Sequence, residues 1–247
     1  MKKIYMLWLR EIKKYLRSRS RIIGSLGMPL LFLFVLGFGL NSMLSVNNNN
    51  YLDFIFPGVI AMAVLMTSMF SGISVIWDKQ FGFMKEMLVA PVSRITIMIG
   101  KTLGGATTAV IQGFLIFIIA LFAGIHIHSI SGLVISLLFM MLIGVAFTSL
   151  GISFASKMED MQAFPIVMNF VVMPLFFLSG ALFPLNQIPK TLKFIAMVDP
   201  LTYGVDALRF GFIGSSHFSL FTDLAVLSGF CILSIFIGAS LFNKMSV

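Results

Sequence analysis

Six long apolar stretches without a single charged residue constrain this chain more than any other feature of its sequence. They cover residues 22–44, 54–77, 102–125, 132–155, 163–182 and 224–243. A helix needs about twenty apolar residues to cross the hydrocarbon core of a bilayer. A soluble domain would also need more charge than the 11% found here to cover its surface. The pattern predicts an all-α membrane protein with six transmembrane helices, forming one domain over residues 1–247.

Lys and Arg are concentrated in the segments on one side of these spans. Of the 17 basic residues, 14 lie before the first span, between spans two and three, between spans four and five, or in the C-terminal tail. Cytoplasmic loops are enriched in Lys and Arg, so both termini are predicted to be cytoplasmic. A net charge of +8 distributed in this way indicates membrane topology and argues against nucleic-acid binding.

Residues 1–21 have the pattern of an amphipathic helix. Apolar residues recur at helical spacing from Ile4 to Leu16, and basic residues occupy the other side. We expect a helix that lies along the cytoplasmic interface, with Trp8 and Tyr15 at headgroup depth. Its role is either that of a topology anchor or that of an elbow that passes motion into the first span.

The cytoplasmic segment 78–101 predicts a second, shorter amphipathic helix. Gly82 marks its start and Pro91 stops it. The apolar stripe consists of Phe83, Met84, Met87 and Leu88, and the charged face of Lys85 and Glu86. Such a stripe is buried either in the lipid interface or against a partner protein, and physical chemistry alone leaves both open.

The segment 183–223, on the outer side, combines prolines with many apolar residues. Asp199 followed by Pro200 predicts a helix start with an N-cap carboxylate and a first-turn proline. Asp206 and Arg209 are three residues apart on that helix and can pair. We expect two short helices that dip back into the outer leaflet, where protein or a water-filled cavity must surround them. They form either a cap on the bundle or an outer gate.

The sequence shows no source of energy within the chain. Gly100-Lys101-Thr102 resembles the end of a phosphate-binding loop, but Ile95 stands where the motif needs its other glycine. Ion coupling usually relies on ionisable residues inside the membrane, and the predicted spans hold none. One cysteine and a pair of loop histidines do not suggest a metal site. We therefore predict no catalytic, cofactor or metal site, and a motor outside the chain.

Gln112 and Asn169 are the most polar residues in the middle of the predicted spans. In hydrocarbon each needs a partner, so they either form hydrogen bonds between helices or line a substrate route. Small residues at Gly100, Gly104 and Gly144 predict close helix contacts. The 27 Phe and 18 Met residues otherwise predict an apolar route that suits hydrophobic or amphipathic cargo.

Two segments resemble those of type-2 ATP-binding-cassette (ABC) exporter permeases. FGFMKEML at 81–88 and VAPVSRITIMIGK at 89–101 are similar to the cytoplasmic coupling region of that family. FLSGALFPLNQIPKTLKFIAMVDPLTYGVDALR at 177–209 is similar to its signature before the last span. The resemblance extends over the whole chain and is nearest to the drug-resistance and antibiotic-export branch. The family often has Arg–Glu where this chain has Lys79 and Gln80.

The resemblance implies the membrane subunit of an ATP-driven exporter for a hydrophobic or amphipathic substrate, such as a drug, an antibiotic or a lipid-like molecule. Two ABC ATPase subunits would hold ATP and magnesium, beside a second permease copy or homologue in a prokaryotic inner membrane. The alternatives are a polysaccharide or lipid-linked glycan permease, and a gradient-driven carrier or channel. The residues that the resemblance assigns to ATPase coupling are Gly82, Phe83, Met84, Lys85, Glu86, Met87, Leu88 and Pro91. Those that it assigns to the outer element are Pro184, Pro189, Asp199, Pro200, Tyr203, Asp206 and Arg209.

Overall fold

The computed structural model describes residues 2–39, 45–46, 49–89, 92–125 and 129–245. The helices in these ranges are α1 (Lys2–Arg17), α2 (Arg19–Phe38), α3 (Tyr51–Gln80), α4 (Phe83–Val89), α5 (Arg94–Phe122), α6 (Ile130–Lys157), α7 (Met161–Leu178), α8 (Lys190–Val198), α9 (Pro200–Ile213) and α10 (Leu220–Asn243). A two-residue antiparallel pair, β1 (Ser45–Val46) with β2 (Asn49–Asn50), precedes α3.

Within the described ranges, six helices are long and apolar enough to cross a membrane, namely α2, α3, α5, α6, α7 and α10. This confirms the predicted all-α fold with six transmembrane helices. All six start before their apolar stretches, and α5 and α10 do so by the most, eight and four residues, because the side chains of Ser93 and Ser219 cap them. Lys101 and Asp223 consequently lie inside these two helices. The six predicted stretches themselves carry no charge, but the helices extend beyond them, and Asp78 likewise lies inside α3.

α3 forms the centre of the bundle, and almost every side chain from Tyr51 to Met69 is buried. It packs against α5, α6 and α9. α3 and α6 approach each other closely where two glycines meet. A Cβ added to Gly72 of α3 would lie 2.5 Å from the carbonyl oxygen of Gly151 of α6. Close contacts between small residues are a general means of joining helices in a membrane, where lipid offers no hydrophobic driving force for association.

α1 lies along α5, which fixes the N-terminal helix to the bundle. A Cβ on Gly100 would lie 2.6 Å from Cβ of Leu7, and one on Gly104 the same distance from Cβ of Glu11. These are the close contacts that the sequence predicted for the two glycines, and Gly144 makes another, against Ala106 of α5. The position of α1 at a membrane interface stays a prediction.

α2 and α7 are less regular than the other spans. Pro29 lies inside α2, and the turns that follow it, Phe32–Phe38, are π-helical. α7 contains a π-helical segment, Met168–Val172, between two prolines, Pro165 and Pro174. Proline removes a backbone donor from the helix, and wider turns accommodate the interruption. These two helices form one side of the cavity described below.

Candidate functional site

Charged side chains from three helices meet at one end of the bundle. We call it the basic end because the strongly basic helix α1 lies there, together with α4. The Nζ of Lys101 lies 2.5 Å from Oδ2 of Asp78 and 3.7 Å from Oε1 of Glu11. Arg10 Nη2 lies 2.9 Å from Oδ1 of the same Asp78. The four residues, hereafter the ion cluster, join α1 to α3 and α5. Two cations and two anions balance one another there.

Burial explains why the ion cluster must be paired. The side chains of Lys101 and Asp78 are 2% and 3% exposed. An unpaired charge at such a depth is expensive, whereas a paired and hydrogen-bonded one is tolerated. Lys101 also donates to Ser74 Oγ at 3.2 Å, so three oxygens of α1 and α3 surround its ammonium. Lys101 is thus held by α1 and α3 rather than presented to solvent.

α4, the predicted coupling helix, rests on the ion cluster. The Nη1 of Arg10 donates to Sδ of Met87 at 3.3 Å, and Met84 is completely buried. Phe83 and the preceding Phe81 are 49% and 66% exposed. The predicted apolar stripe is therefore divided, since its methionines face the protein and Phe83 faces outward.

The start of α4 depends on Gly82, whose φ of 78° is a left-handed conformation that glycine adopts without a steric penalty. Glu86 is exposed. Pro91 and the side chains of Lys85 and Leu88, three of the predicted coupling residues, lie outside the described part of the chain.

Lys79 and Gln80, where the family often has Arg–Glu, bind this chain's own backbone. Lys79 Nζ donates to the carbonyl oxygen of Met158 at 3.2 Å, and Gln80 Nε2 donates to that of Glu159 at 2.9 Å. Both contacts hold the connection between α6 and α7 against the end of α3. The basic end is thus one connected assembly of α1, α3, α4, α5 and this connection.

A cavity of about 760 Å³ lies between α1, α2, α3 and α7. Most of its lining is apolar and includes Met28, Met66, Phe70, Met168 and Met173. Asn169, predicted to line a substrate route or to bond between helices, is among the lining residues.

The two ends of this cavity differ. Lys14, Arg21 and Trp77 line the end of the cavity that lies near the basic end of the bundle. Deeper in the bundle, Thr67 Oγ1 is buried and has no hydrogen-bond partner among the described residues. No carboxylate is among the side chains that line the described cavity.

Gln112, the other predicted polar residue, lies behind the cavity wall. Its Oε1 accepts a hydrogen bond from the hydroxyl of Tyr15, which does line the cavity. Burial raises the pKa of Tyr15 to about 12, and the neighbouring Arg21 opposes this shift. Tyr15 therefore stays neutral and remains a donor, so the structure uses Gln112 to hold α1 against α5.

At the opposite end of the bundle, α8 and α9 form the two short helices that the sequence predicted. Asp199 Oδ1 accepts a hydrogen bond from the N–H of Leu201 at 2.9 Å and caps α9, with Pro200 in the first turn. Burial raises the pKa of Asp199 to about 7, although that hydrogen bond acts in the other direction. The hydroxyl of Tyr203 donates to the carbonyl oxygen of Met197 at 2.8 Å and ties α9 back to α8.

Asp206 and Arg209 fix the loops around α9. Asp206 accepts hydrogen bonds from the backbone N–H groups of His217 and Phe218, and Arg209 Nη1 lies 3.9 Å from its Oδ1. Arg209 Nη2 donates to the carbonyl oxygen of Gly180 at 3.0 Å. Burial lowers the pKa of Arg209 to about 10, and Asp206 opposes this shift. Both residues thus have structural partners within the chain.

The remaining predicted outer residues are peripheral. Pro189 precedes α8 and is exposed, while Pro184 lines a small cavity of about 80 Å³ together with Asp206 and Arg209. Asp223 was not predicted as a functional residue. It is buried in the first turns of α10, and neither of its oxygens has a hydrogen-bond partner in the described ranges.

Sequence reasoning missed the ion cluster and the basic pair at the cavity. Glu11 is the only acidic residue in the strongly basic N-terminal segment, and this isolation is a signal that could have been noticed. Asp78 and Lys101 are 23 residues apart, at the two ends of the segment 78–101, and belong to different helices, so no helical period relates them. Lys14 and Arg21 were counted only toward topology.

Comparison with known proteins places the chain among membrane permeases. The sequence profile of the ABC-2 type transporter family matches residues 2–213. The transport permease ycf38 of Cyanophora paradoxa is 30% identical over 98% of this chain and 88% of its own length. Nodulation protein J of Rhizobium leguminosarum bv. viciae is 27% identical, covering 96% of this chain and 93% of its own. The inner membrane transport permease YadH of Escherichia coli K12 is 28% identical, with 92% and 89% covered.

Proposed function

Because this chain belongs to the ABC-2 type transporter family, we propose that it forms the translocation pathway of an ATP-driven exporter whose ATPase subunits dock on α4. The basic end then faces the cytoplasm, where ATP is available. Two copies of the chain, or one copy and a homologue, flank the pathway, and two ATPase subunits hold ATP and magnesium. A prokaryotic inner membrane is its proposed location, in keeping with the name of the relative YadH.

The observation that carries this proposal is the division of the apolar residues around α4 between two faces. Phe81 and Phe83 point outward, as aromatic residues do at the core of protein interfaces. Met84 and Met87 point inward, and Arg10 connects Met87 to Asp78. A force applied to the outer face would therefore reach α1, α3 and α5 through contacts that are already formed. In this proposal α1 acts as the elbow.

The cavity between α1, α2, α3 and α7 is the proposed part of the substrate route in this chain. Its volume of about 760 Å³ lies within the range of about 300–1,000 Å³ that is typical of ligand sites. Apolar walls rich in methionine suit hydrophobic or amphipathic substrates of varied shape. Drugs, antibiotics and lipid-like molecules share this chemistry. The element formed by α8 and α9 serves as the proposed outer gate.

Reconstitution tests the proposal. Vesicles would contain the chain alone, the chain with its ABC ATPase, or the chain with an ATPase inactivated for hydrolysis, together with a fluorescent amphiphile. We expect transport only with the active ATPase and ATP. Transport by the chain alone without ATP would instead favour a gradient-driven carrier or a channel.

A further inference from the structure

We propose that the cavity binds an amphiphile with an anionic headgroup, which lies between Lys14 and Arg21 while its chain extends among the apolar residues of α2, α3 and α7. This inference rests on the proposed function, because it names the class of molecule that uses the route. The ligand comes from the membrane leaflet at the basic end, where α1 meets α2.

The charge of the cavity selects the sign of the headgroup. Lys14 and Arg21 both line it, and neither forms an ion pair with a described residue, unlike Arg10 and Lys101 of the ion cluster. Lys14 Nζ lies 5.4 Å from the centroid of the Trp77 ring, which keeps it at the cavity wall. Since the described lining contains no carboxylate, an anion meets only attraction there, and a cationic amphiphile meets two like charges.

The break between α1 and α2 brings the two basic side chains to the same place. α1 ends at Arg17, and Ser18 has a φ of −94° and a ψ of 78°, outside the helical region. The carbonyl oxygen of Ser18 accepts from the N–H of Arg21 at 3.1 Å and so starts the next helix. Lys14 before the break and Arg21 after it therefore line one cavity.

The depth of the cavity suits an acyl chain. On α2 the lining runs from Arg21 to Pro29, a rise of about 12 Å, and on α3 from Trp77 to Met66, about 16 Å. The charged groups are at one end of this path and the methionines at the other.

Quenching of tryptophan fluorescence tests the headgroup preference directly. The chain has two tryptophans, so Trp8→Phe leaves Trp77 at the cavity as the only reporter. The variant is placed in phosphatidylcholine nanodiscs and titrated with dodecyl phosphate brominated on the chain carbons next to the headgroup, which the proposed pose places near Trp77. Brominated dodecylphosphocholine, with the same chain and a neutralised phosphate, is the matched probe. We expect half-maximal quenching at a concentration at least about tenfold lower for the anionic probe, since each basic side chain contributes about fivefold.

Charge variants show whether Lys14 and Arg21 are responsible. Lys14→Gln with Arg21→Gln should remove the preference for the anionic probe. Lys13→Gln with Arg17→Gln changes the net charge equally, yet neither residue lines the cavity, so the preference should be retained. An equal loss in both double variants would mean that the surface merely attracts anions, and would overturn the inference. So would equal quenching by the two probes in the parent.

A glycine pair tests whether the chain enters the cavity. A Cβ on Gly24 or on Gly27 meets nothing within 4 Å, so both positions have open space for a side chain to enter. Gly24 lines the cavity and Gly27 does not. Gly24→Leu should weaken quenching by both probes at least fivefold, and Gly27→Leu should not. Equal effects of the two variants would contradict insertion. Inorganic phosphate at millimolar concentration should not compete, because the chain supplies part of the binding; full displacement by phosphate would reduce the site to an anion site without a chain.

These measurements use the full chain without an ATPase and so separate the two proposals. Loss of ATP-driven transport with an intact anionic preference would reject the proposed function alone. ATP-driven transport by a parent chain that shows no preference for the anionic probe would reject the headgroup site alone.

Discussion

The ammonium group of Lys101 lies 2.5 Å from a carboxylate oxygen of Asp78, although both residues belong to helices that are otherwise strongly apolar. The pair connects α5 to α3, and Arg10 adds α1 to the same carboxylate. Ionisable groups in membrane helices are costly and are usually kept for a purpose. Here the pair holds α5 to α3, and α4 contacts α3 and the Arg10 side chain of α1, so the pair stabilises the basic end as a unit.

Substitution of Asp78 should destabilise the protein more than substitution of Lys101. Asp78→Asn leaves Lys101 buried with only Glu11, 3.7 Å away, and also deprives Arg10 of its partner. Lys101→Met leaves Asp78 paired with Arg10. We expect Asp78→Asn to lower the free energy of unfolding by about 3–5 kcal/mol, and Lys101→Met by clearly less. Thermal unfolding in detergent, followed by tryptophan fluorescence, measures both. Equal losses, or the reverse order, would show that the cluster is not organised around Asp78.

Backbone contact between α6 and α9 should make Gly211 intolerant of a side chain. A Cβ at Gly211 would lie 2.6 Å from the carbonyl oxygen of Gly132, and backbone cannot yield as a flexible side chain can. We expect Gly211→Ala to cost about 1–3 kcal/mol. Gly229→Ala on α10 is the control, because a Cβ there meets nothing within 4 Å. Its unfolding temperature should stay unchanged or rise slightly, since Ala is the better helix former. Similar losses in both variants would contradict the described packing.

The sequence was sufficient for the six spans because lipid imposes a simple requirement of length and apolarity. It was also sufficient for the start of α9, since Asp199 and Pro200 carry local signals that do not depend on tertiary contacts. The sequence-based prediction failed where a helix extends beyond its apolar stretch. α5 begins eight residues before the predicted span, at a capping serine, and so Lys101 enters the helix and requires a partner that only the tertiary structure supplies.

The face of α4 that binds a partner could not be predicted for a related reason. A helix of seven residues has two turns, and its period does not tell which apolar residues meet the chain itself. Met84 is buried and Phe83 is not, although both belong to the same predicted stripe. The cavity could not be predicted from the sequence either, because its lining comes from four helices.

Substitution of Phe83 should uncouple the chain from its ATPase without unfolding it. Phe83→Asp places a charge on the proposed interface, and we expect at least about a tenfold loss of ATPase affinity, as for an aromatic hot spot. Phe83→Leu keeps the surface apolar and should stay within about threefold. Titration of the ATPase onto the purified chain measures both affinities. Met84→Asp would be uninformative here, because a charge at this buried position damages the fold. Unchanged affinity in Phe83→Asp would remove this residue from the interface.

Asp199 should give the chain a stability that falls as the pH rises. Burial raises its pKa to about 7 in the folded protein from an ordinary value of 3.8, so between these values the folded state binds more protons than the unfolded state. The free energy of unfolding therefore decreases from about pH 4 to pH 7, by on the order of 4 kcal/mol for this group.

Asp199→Asn tests this assignment because asparagine keeps an acceptor for the N-cap but does not titrate. Unfolding is measured at several pH values between 4 and 8 in the parent and in the variant. The free energy of unfolding of the variant, minus that of the parent, should increase with pH across this range. A difference that is independent of pH would exclude Asp199 as the titrating group.

The central claim is that a separate ATPase subunit docks on α4. Cross-linking in the assembled complex tests this claim most directly. Cys231 is the one cysteine of the chain, so Cys231→Ala gives a background for single cysteines. Phe83→Cys and, at the opposite end, the exposed Ser216→Cys are compared with a short thiol-to-amine reagent. We predict that the cysteine at position 83 forms a cross-link with the ATPase, with a yield that changes when ATP binds, and that the cysteine at position 216 forms none. A cross-link only from position 216, or none from position 83 in an active complex, would contradict the claim.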